Sequence, residues 1–396
     1  MVAGVVGAQA PLAFLVCAAV MGLIVAAFAE AGKRVDLTGG PYAYVEVAFG
    51  PFAGFLAGVL VWLLGTTAVA AVSTVLADSI GAMVPALAGG AGRAAVILAV
   101  FAVLVTVNVV GVGFGTRFNA VATVAKLLPL ALLILAGAFA VDPALLAWDQ
   151  PIAPVRLARA SMLLIFAFCG VESALVPSGE IRDVARTVPR AVAMAMVAVT
   201  AVYLAIQIVA QGILGAGLAG ETAPLAAAAG QALGPWGGRL LLLGAAVSMF
   251  GYVGGMTLAV PRAVFAFARD GFLPSALGAI HPRFRTPHRA IVAQSALVVG
   301  LGVTSGFEAL AVVANLSTLL LYAGCSLAAW RLAARDGAAA GRRAAAIAIA
   351  ACGVIAWLLT SITWPEWRVA FVVLAAATSI YVATSGRRPS SGGSTV

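Results

Sequence analysis

Three ionisable residues stand clear of the ends of long apolar runs: Asp78, Lys126 and Glu172. A charge near the middle of a bilayer costs about 3 kcal/mol on insertion scales, so such residues are candidates for chemistry. Glu172 lies in "FAFCGVESALVPSGE", residues 166–180. Gly170 weakens a helix there, and Pro177 cannot donate to the residue four earlier, which frees the carbonyl of Ser173. Backbone broken inside a membrane is tolerated only where it is buried in protein or lines a polar cavity. Two readings follow. The break offers bare peptide groups to a polar ligand, with the carboxylate tuning or sensing that site, or it is a packing kink with Glu172 neutral and bonded to a neighbour. Lys126, in "FNAVATVAKLLPL", has at least a turn of apolar residues on each side. Its stem could snorkel to the nearer surface. Alternatively, burial disfavours its charged form until the amine gains and loses a proton near neutral pH. Asp78 lies near enough to the end of its run to be simply solvated.

The elements that position these residues are membrane helices. Of 396 residues, 63% are hydrophobic and 9% charged, against about a quarter charged in soluble domains. A span needs about 20 predominantly apolar residues, and the runs here are continuous rather than alternating, which favours helices over a barrel. Eleven spans are expected, near 11–29, 52–80, 94–112, 119–140, 160–178, 190–215, 236–267, 289–304, 309–330, 343–361 and 367–384. The four cysteines, Cys17, Cys169, Cys325 and Cys352, lie within apolar runs without close pairing, so neither a disulfide framework nor a zinc site is indicated. The Arg-rich segment 261–290 holds both histidines, His281 and His288, with no nucleophile or metal-ligand spacing around them. It reads as a structured loop docking two helices. No enzyme chemistry, metal or cofactor is expected.

Positive residues divide unequally between alternate loops. One set carries 17 Lys and Arg and the other 5, namely Arg93, Arg156, Arg159, Arg239 and Arg368. Basic loops stay in the cytoplasm, so a multi-pass protein of the cytoplasmic (inner) membrane with a cytoplasmic C-terminus is expected. Eleven crossings then place residue 1 outside. The formal charge of +9 is scattered among these loops, which argues against nucleic acid as a partner. The tail 385–396 is polar and reads as disordered.

Three stretches carry a family resemblance: "TGGPYAYVEVAFGPFAGFLAG", "FAFCGVESALVPSGEIRDVARTVPRA" and "AVPRAVFAFARDGFLPSALGAIHPRFRTPH". In this order and spacing the chain resembles the amino acid, polyamine and organocation transporter family, over essentially its whole length, and is similar within it to the arginine and agmatine exchanger branch. The resemblance implies an all-α bundle of two inverted five-helix repeats whose first helices are broken at the midplane, the substrate lying between them, with two further C-terminal helices. Residues 1–10 then correspond to the outer end of helix 1, 11–140 to helices 2–5, 160–330 to helices 6–10 and 343–384 to helices 11 and 12, all in one transporter domain 1–384. On that match the chain lacks most of helix 1 and its glycine-rich substrate contacts, either because the gene start is set too far downstream or because the product is truncated.

The resemblance also implies a site. The carbonyls of Phe166 and Cys169, beside Gly170 on broken helix 6, would receive a substrate amino group, with the Phe166 ring as a gate. Met256 and Val69 stand where the exchanger has an aromatic and a polar residue, which points to a neutral rather than a guanidinium-bearing substrate. Lys126 matches the helix 5 lysine of proton-coupled members, so proton coupling and gating fall to Lys126, Glu172 and Phe166. The implied function is secondary active transport of an amino acid, by proton symport or exchange. The other reading is a non-transporting membrane protein, a sensor or an inactive remnant. The expected partners are the amino acid, protons and membrane lipids, with a homodimer left open.

Overall fold

The computed structural model describes residues 1–35, 41–111, 116–148, 151–170 and 184–385, without the side chains of 41, 116–126, 184–189 and 385. Glu172 and Pro177 lie outside the described residues. Among these residues the chain is helical and has no strands. In order the helices are α1 (Val2–Val6), α2 (Ala10–Gly32), α3 (Pro41–Phe49), α4 (Pro51–Met83), α5 (Gly89–Val110), α6 (Thr116–Gly137), α7 (Pro154–Phe168) and α8 (Val184–Leu214). There follow α9 (Pro224–Leu233), α10 (Pro235–Ala259), α11 (Pro261–Arg269), α12 (His288–Thr304), α13 (Phe307–Ala333), α14 (Ala338–Leu359) and α15 (Trp364–Ser385). Eight helices among the described residues are long and apolar enough to cross a membrane, with shorter apolar helices at Leu127–Ala140 and His288–Thr304. The protein is an all-α integral membrane protein.

Local chemistry sets the boundaries. Proline opens α4, α7, α9, α10 and α11, where its missing N–H is no loss, and Gly111 ends α5 in the left-handed region at φ 87°. Hydroxyls inside the spans bond back to their own helix, as Thr67 does to Leu63 O (2.8 Å) and Thr257 to Val253 O (2.7 Å). Such bonds satisfy polar groups that hydrocarbon would leave bare. The run 236–267 lies in one apolar span, Pro235–Arg269, in which α11 follows α10 at Pro261. Within the run 160–178, α7 ends at Phe168, Cys169 has φ −59° and ψ 149°, Gly170 has φ 105°, and 171–178 lie outside the described residues.

The packing repeats itself. Helix α2 lies against α8, α4 against α10 and α5 against α12, while the α4–α13 contact has its counterpart in α10–α6. Exchanging α2 with α8, α4 with α10, α5 with α12 and α6 with α13 maps this set of contacts onto itself. The clearest local sign is a pair of helical hairpins, α3–α4 through "FGPFAG" and α9–α10 through "LGPWGG". Gly50 (φ 93°) and Gly234 (φ 80°) take matching conformations before Pro51 and Pro235, one hairpin at each end of the bundle. Both turns are also close-packed: a Cβ on Gly54 would lie 2.6 Å from the Glu46 side chain, and one on Gly238 would lie 2.9 Å from the Ala226 carbonyl.

Polar contacts identify the two ends. At the basic end Arg34 donates to Asp336 (2.6 Å) and Lys33 to Glu30 (2.7 Å), joining the ends of α2 and α13. Burial works against the Arg34 charge, but Asp336 and Glu30 outweigh it and hold the guanidinium above its ordinary value. At the same end Thr286 donates to Val109 O (2.7 Å), fastening the loop before α12 onto α5, and Phe52 meets Tyr381 edge-on at 4.9 Å. At the opposite end Arg159 bridges α7 to Glu366 of α15 and Glu308 of α13, and Arg93 pairs with Asp78 through two bonds of 2.9 and 2.8 Å.

Candidate functional site

The site is built around the end of α7. A helix leaves its last four carbonyls without intrahelical donors. Here Ile165 O accepts from Cys169 N (2.8 Å) and Ala167 O from the Tyr203 hydroxyl of α8 (2.9 Å). Tyr203 is held in place by edge-on contact with Phe168 at 5.3 Å and Phe14 at 6.2 Å. One turn earlier, fully buried Asn315 of α13 donates to Met162 O (2.8 Å). The broken end is therefore fastened by an amide and a phenol from two different spans.

The residues singled out by sequence fall into two groups. Phe166, Met256 and Val69 meet in one apolar cluster with Phe101, Val260 and Val298, drawing together α7, α10, α4, α5 and α12. The Phe166 ring packs edge-on against Phe307 at 5.5 Å. Val69 and Met256 also line a cavity of about 10 Å³ shared with Thr257 and Ser295, room for one water rather than an amino acid. Cys169 faces the other way, into the cluster of α2, α7 and α13, with its Sγ 3.7 Å from Thr318 Oγ1. Gly170 follows it in the left-handed region, which favours glycine. Lys126 lies within α6, its side chain outside the described residues, and Glu172 is outside them altogether. Asp78 is half-exposed and ion-paired to Arg93, at the edge where simple solvation was expected.

Sequence reasoning passed over the uncharged polar groups. Trp62 Nε1 donates to Gln294 Oε1 (2.9 Å), Gln294 Nε2 to Thr66 Oγ1 (2.9 Å), and Thr66 Oγ1 back to Trp62 O (2.7 Å). This closed chain joins α4 to α12, and Gln294 also borders the cavity beside Val69 and Met256. An amide inside an apolar run was the available signal for Gln294 and for Asn315. Among the described residues Glu30 is the one buried carboxylate, and it is tied to Lys33 and Arg34 at the basic end. No cation-binding acid therefore faces the Phe166 cluster from the described residues.

Comparison with known proteins agrees with this architecture. The amino acid permease family model matches residues 1–392. The serine/threonine exchanger SteT of Bacillus subtilis (strain 168) is 31% identical over 303 residues, which cover 74% of this chain and 68% of the exchanger. An uncharacterised transporter of Mycobacterium tuberculosis (strain ATCC 25618 / H37Rv) is 33% identical over 352 residues, 85% of this chain and 77% of that protein. A methylthioribose transporter of Bacillus subtilis (strain 168) is 26% identical over 331 residues, 80% of this chain and 71% of its own length. With helices paired as two interlocked repeats and a family match running through nearly every one of them, the chain belongs to the amino acid permease family.

Proposed function

We propose that the chain is a secondary active transporter that carries a small neutral amino acid across the cytoplasmic membrane by alternating access, its basic end facing the cytoplasm. The observation that carries this reading is the interruption of α7 after Phe168, next to the cluster in which Phe166, Met256 and Val69 meet. The C-terminal end of α7 supplies partial negative charge for the amino group of a zwitterion. The apolar side chains beside it suit a neutral substituent, because a cationic one would be buried without a counter-charge. The likeness to a serine/threonine exchanger supports a small neutral substrate.

In this reading Lys126 of α6 carries the coupling proton, and Glu172 tunes the pH response. A proton shifts the equilibrium between inward-open and outward-open forms only by binding them differently. Phe166 covers the substrate, and its contact with Phe307 is the one that substrate entry rearranges.

Reconstitution into proteoliposomes tests the proposal. Labelled serine, threonine, alanine, leucine, arginine and methylthioribose are offered with and without unlabelled substrate inside and with an imposed pH gradient. Uptake of one or more neutral amino acids, with arginine excluded, is the expected result. Uptake of methylthioribose alone would overturn the substrate class, and binding without uptake would make the protein a sensor or remnant rather than a carrier.

A further inference from the structure

A second cavity, of about 430 Å³, lies in the half of the bundle towards the basic end, walled by α4, α11, α12 and α15. Phe55, Trp62, Phe267, Leu297 and Ile380 are among its lining residues. Its outer wall is α15, the span with the smallest buried share among the described helices. Leu297 and Val372 on that side are 41% and 67% exposed, which inside a bilayer means contact with hydrocarbon. The cavity thus opens sideways into the membrane.

Its inner wall decides the chemistry of the occupant. The polar side chains there, Trp62 and Gln294, are committed to each other and to Thr66 by the closed chain of hydrogen bonds. They offer a ligand no ready donor or acceptor, so the wall suits a hydrocarbon chain. The end of the cavity is aromatic: Phe55 stacks on Phe272 at 4.1 Å, and Phe272 on Tyr381 at 5.9 Å, residues suited to the level of lipid headgroups. Helix α11, which contributes Val264 and Phe267 to the wall, also carries Arg262 and Arg269. Arg262 donates to Leu258 O, and Arg269 is an exposed side chain whose acidic partner is the neighbouring Asp270. Each arginine lies two residues, about 200° round the helix, from a wall position, on the face of α11 turned away from the cavity, so the wall selects a hydrocarbon chain and not a headgroup.

The geometry points to a lipid site: one acyl chain of a phospholipid from the leaflet at the basic end occupies this cavity. Gln294 stands between the chain and the cavity beside Val69 and Met256. The occupant thereby supports the Trp62–Gln294–Thr66 wall from behind.

The test uses the full chain in nanodiscs and needs no transported substrate. Trp62 emission, defined by difference from Trp62→Phe, is followed as lipids brominated on the acyl chain replace ordinary lipids. Brominated phosphatidylglycerol and brominated phosphatidylcholine should each quench Trp62 saturably at a small mole fraction, above the part that grows in simple proportion to abundance. Ala376→Phe, which fills the cavity, should abolish the saturable part, and Ala293→Leu serves if that variant does not fold. Proportional quenching by both lipids, unchanged in Ala376→Phe or Ala293→Leu, would show ordinary contact with surrounding lipid and overturn the site.

Discussion

Replacing Arg159 by Met tests how the broken helix is held at the end of the bundle away from the basic face. Arg159 donates to both oxygens of Glu366 at 3.0 and 3.2 Å and to Glu308 at 3.3 Å. It sits nine residues before Phe168, about 14 Å along α7. The side chains of Arg159 and Glu366 are 22% and 19% exposed, whereas Glu308 is 57% exposed. Exposed pairs contribute about 0–1 kcal/mol, and breaking a buried pair costs about 3–5 kcal/mol. Arg159→Met should therefore cost about 1–3 kcal/mol. A double-mutant cycle with Glu366→Gln should return a coupling of about 1–2 kcal/mol, and one with Glu308→Gln under about 0.5 kcal/mol. Reversible unfolding in mixed micelles supplies the free energies. In the proposed alternating-access cycle the bridge parts when this end opens, and about 1.4 kcal/mol is a factor of ten, so the variant should also raise accessibility from that side about tenfold. Equal coupling to both glutamates, or none to Glu366, would refute the assignment of the bridge to α15.

Other substitutions probe separate parts of the structure. Tyr203→Phe removes the donor to Ala167 O and should lower stability by about 1 kcal/mol, measured by thermal inactivation, with little change if the hydroxyl is idle. Gly54→Ala should cost about 1–3 kcal/mol through overpacking against Glu46. Gly22→Ala, where a Cβ meets nothing within 4 Å, should be neutral or stabilising by a few tenths of a kcal/mol; equal losses would contradict the hairpin packing. Lys126→Ala should abolish uptake driven by a pH gradient, and uptake with unaltered pH dependence would remove Lys126 from the coupling.

The membrane helices were legible because composition alone separates oil from water. Every expected run contains a helix. What the reading lacked was punctuation inside apolar sequence. Pro261 opens α11 within the span 235–269, and α7 ends nine residues before Pro177. The hairpins at Gly50 and Gly234 were written in the sequence as "FGPFAG" and "LGPWGG", but each is too short for a search for spans to register. At the candidate site, the meeting of Phe166, Met256 and Val69 depends on α7, α10 and α4 coming together across the bundle, a long-range fact that spacing cannot state. It was reached through the family resemblance. For Cys169 the resemblance named the carbonyl, whereas its side chain belongs to the cluster of α2, α7 and α13. Gln294 and Asn315 escaped a search keyed to charge, although inside a membrane an amide also requires a partner.

Cysteine protection places a substrate at the broken helix or removes it from there. With Cys17, Cys325 and Cys352 replaced by serine, the rate at which a thiol reagent modifies half-buried Cys169 is measured in proteoliposomes across a titration of neutral amino acids. The account predicts that amino acids taken up by the vesicles slow the reaction at the concentrations that saturate uptake, while arginine does not. Modification at one rate whether or not a transported amino acid is present would contradict it.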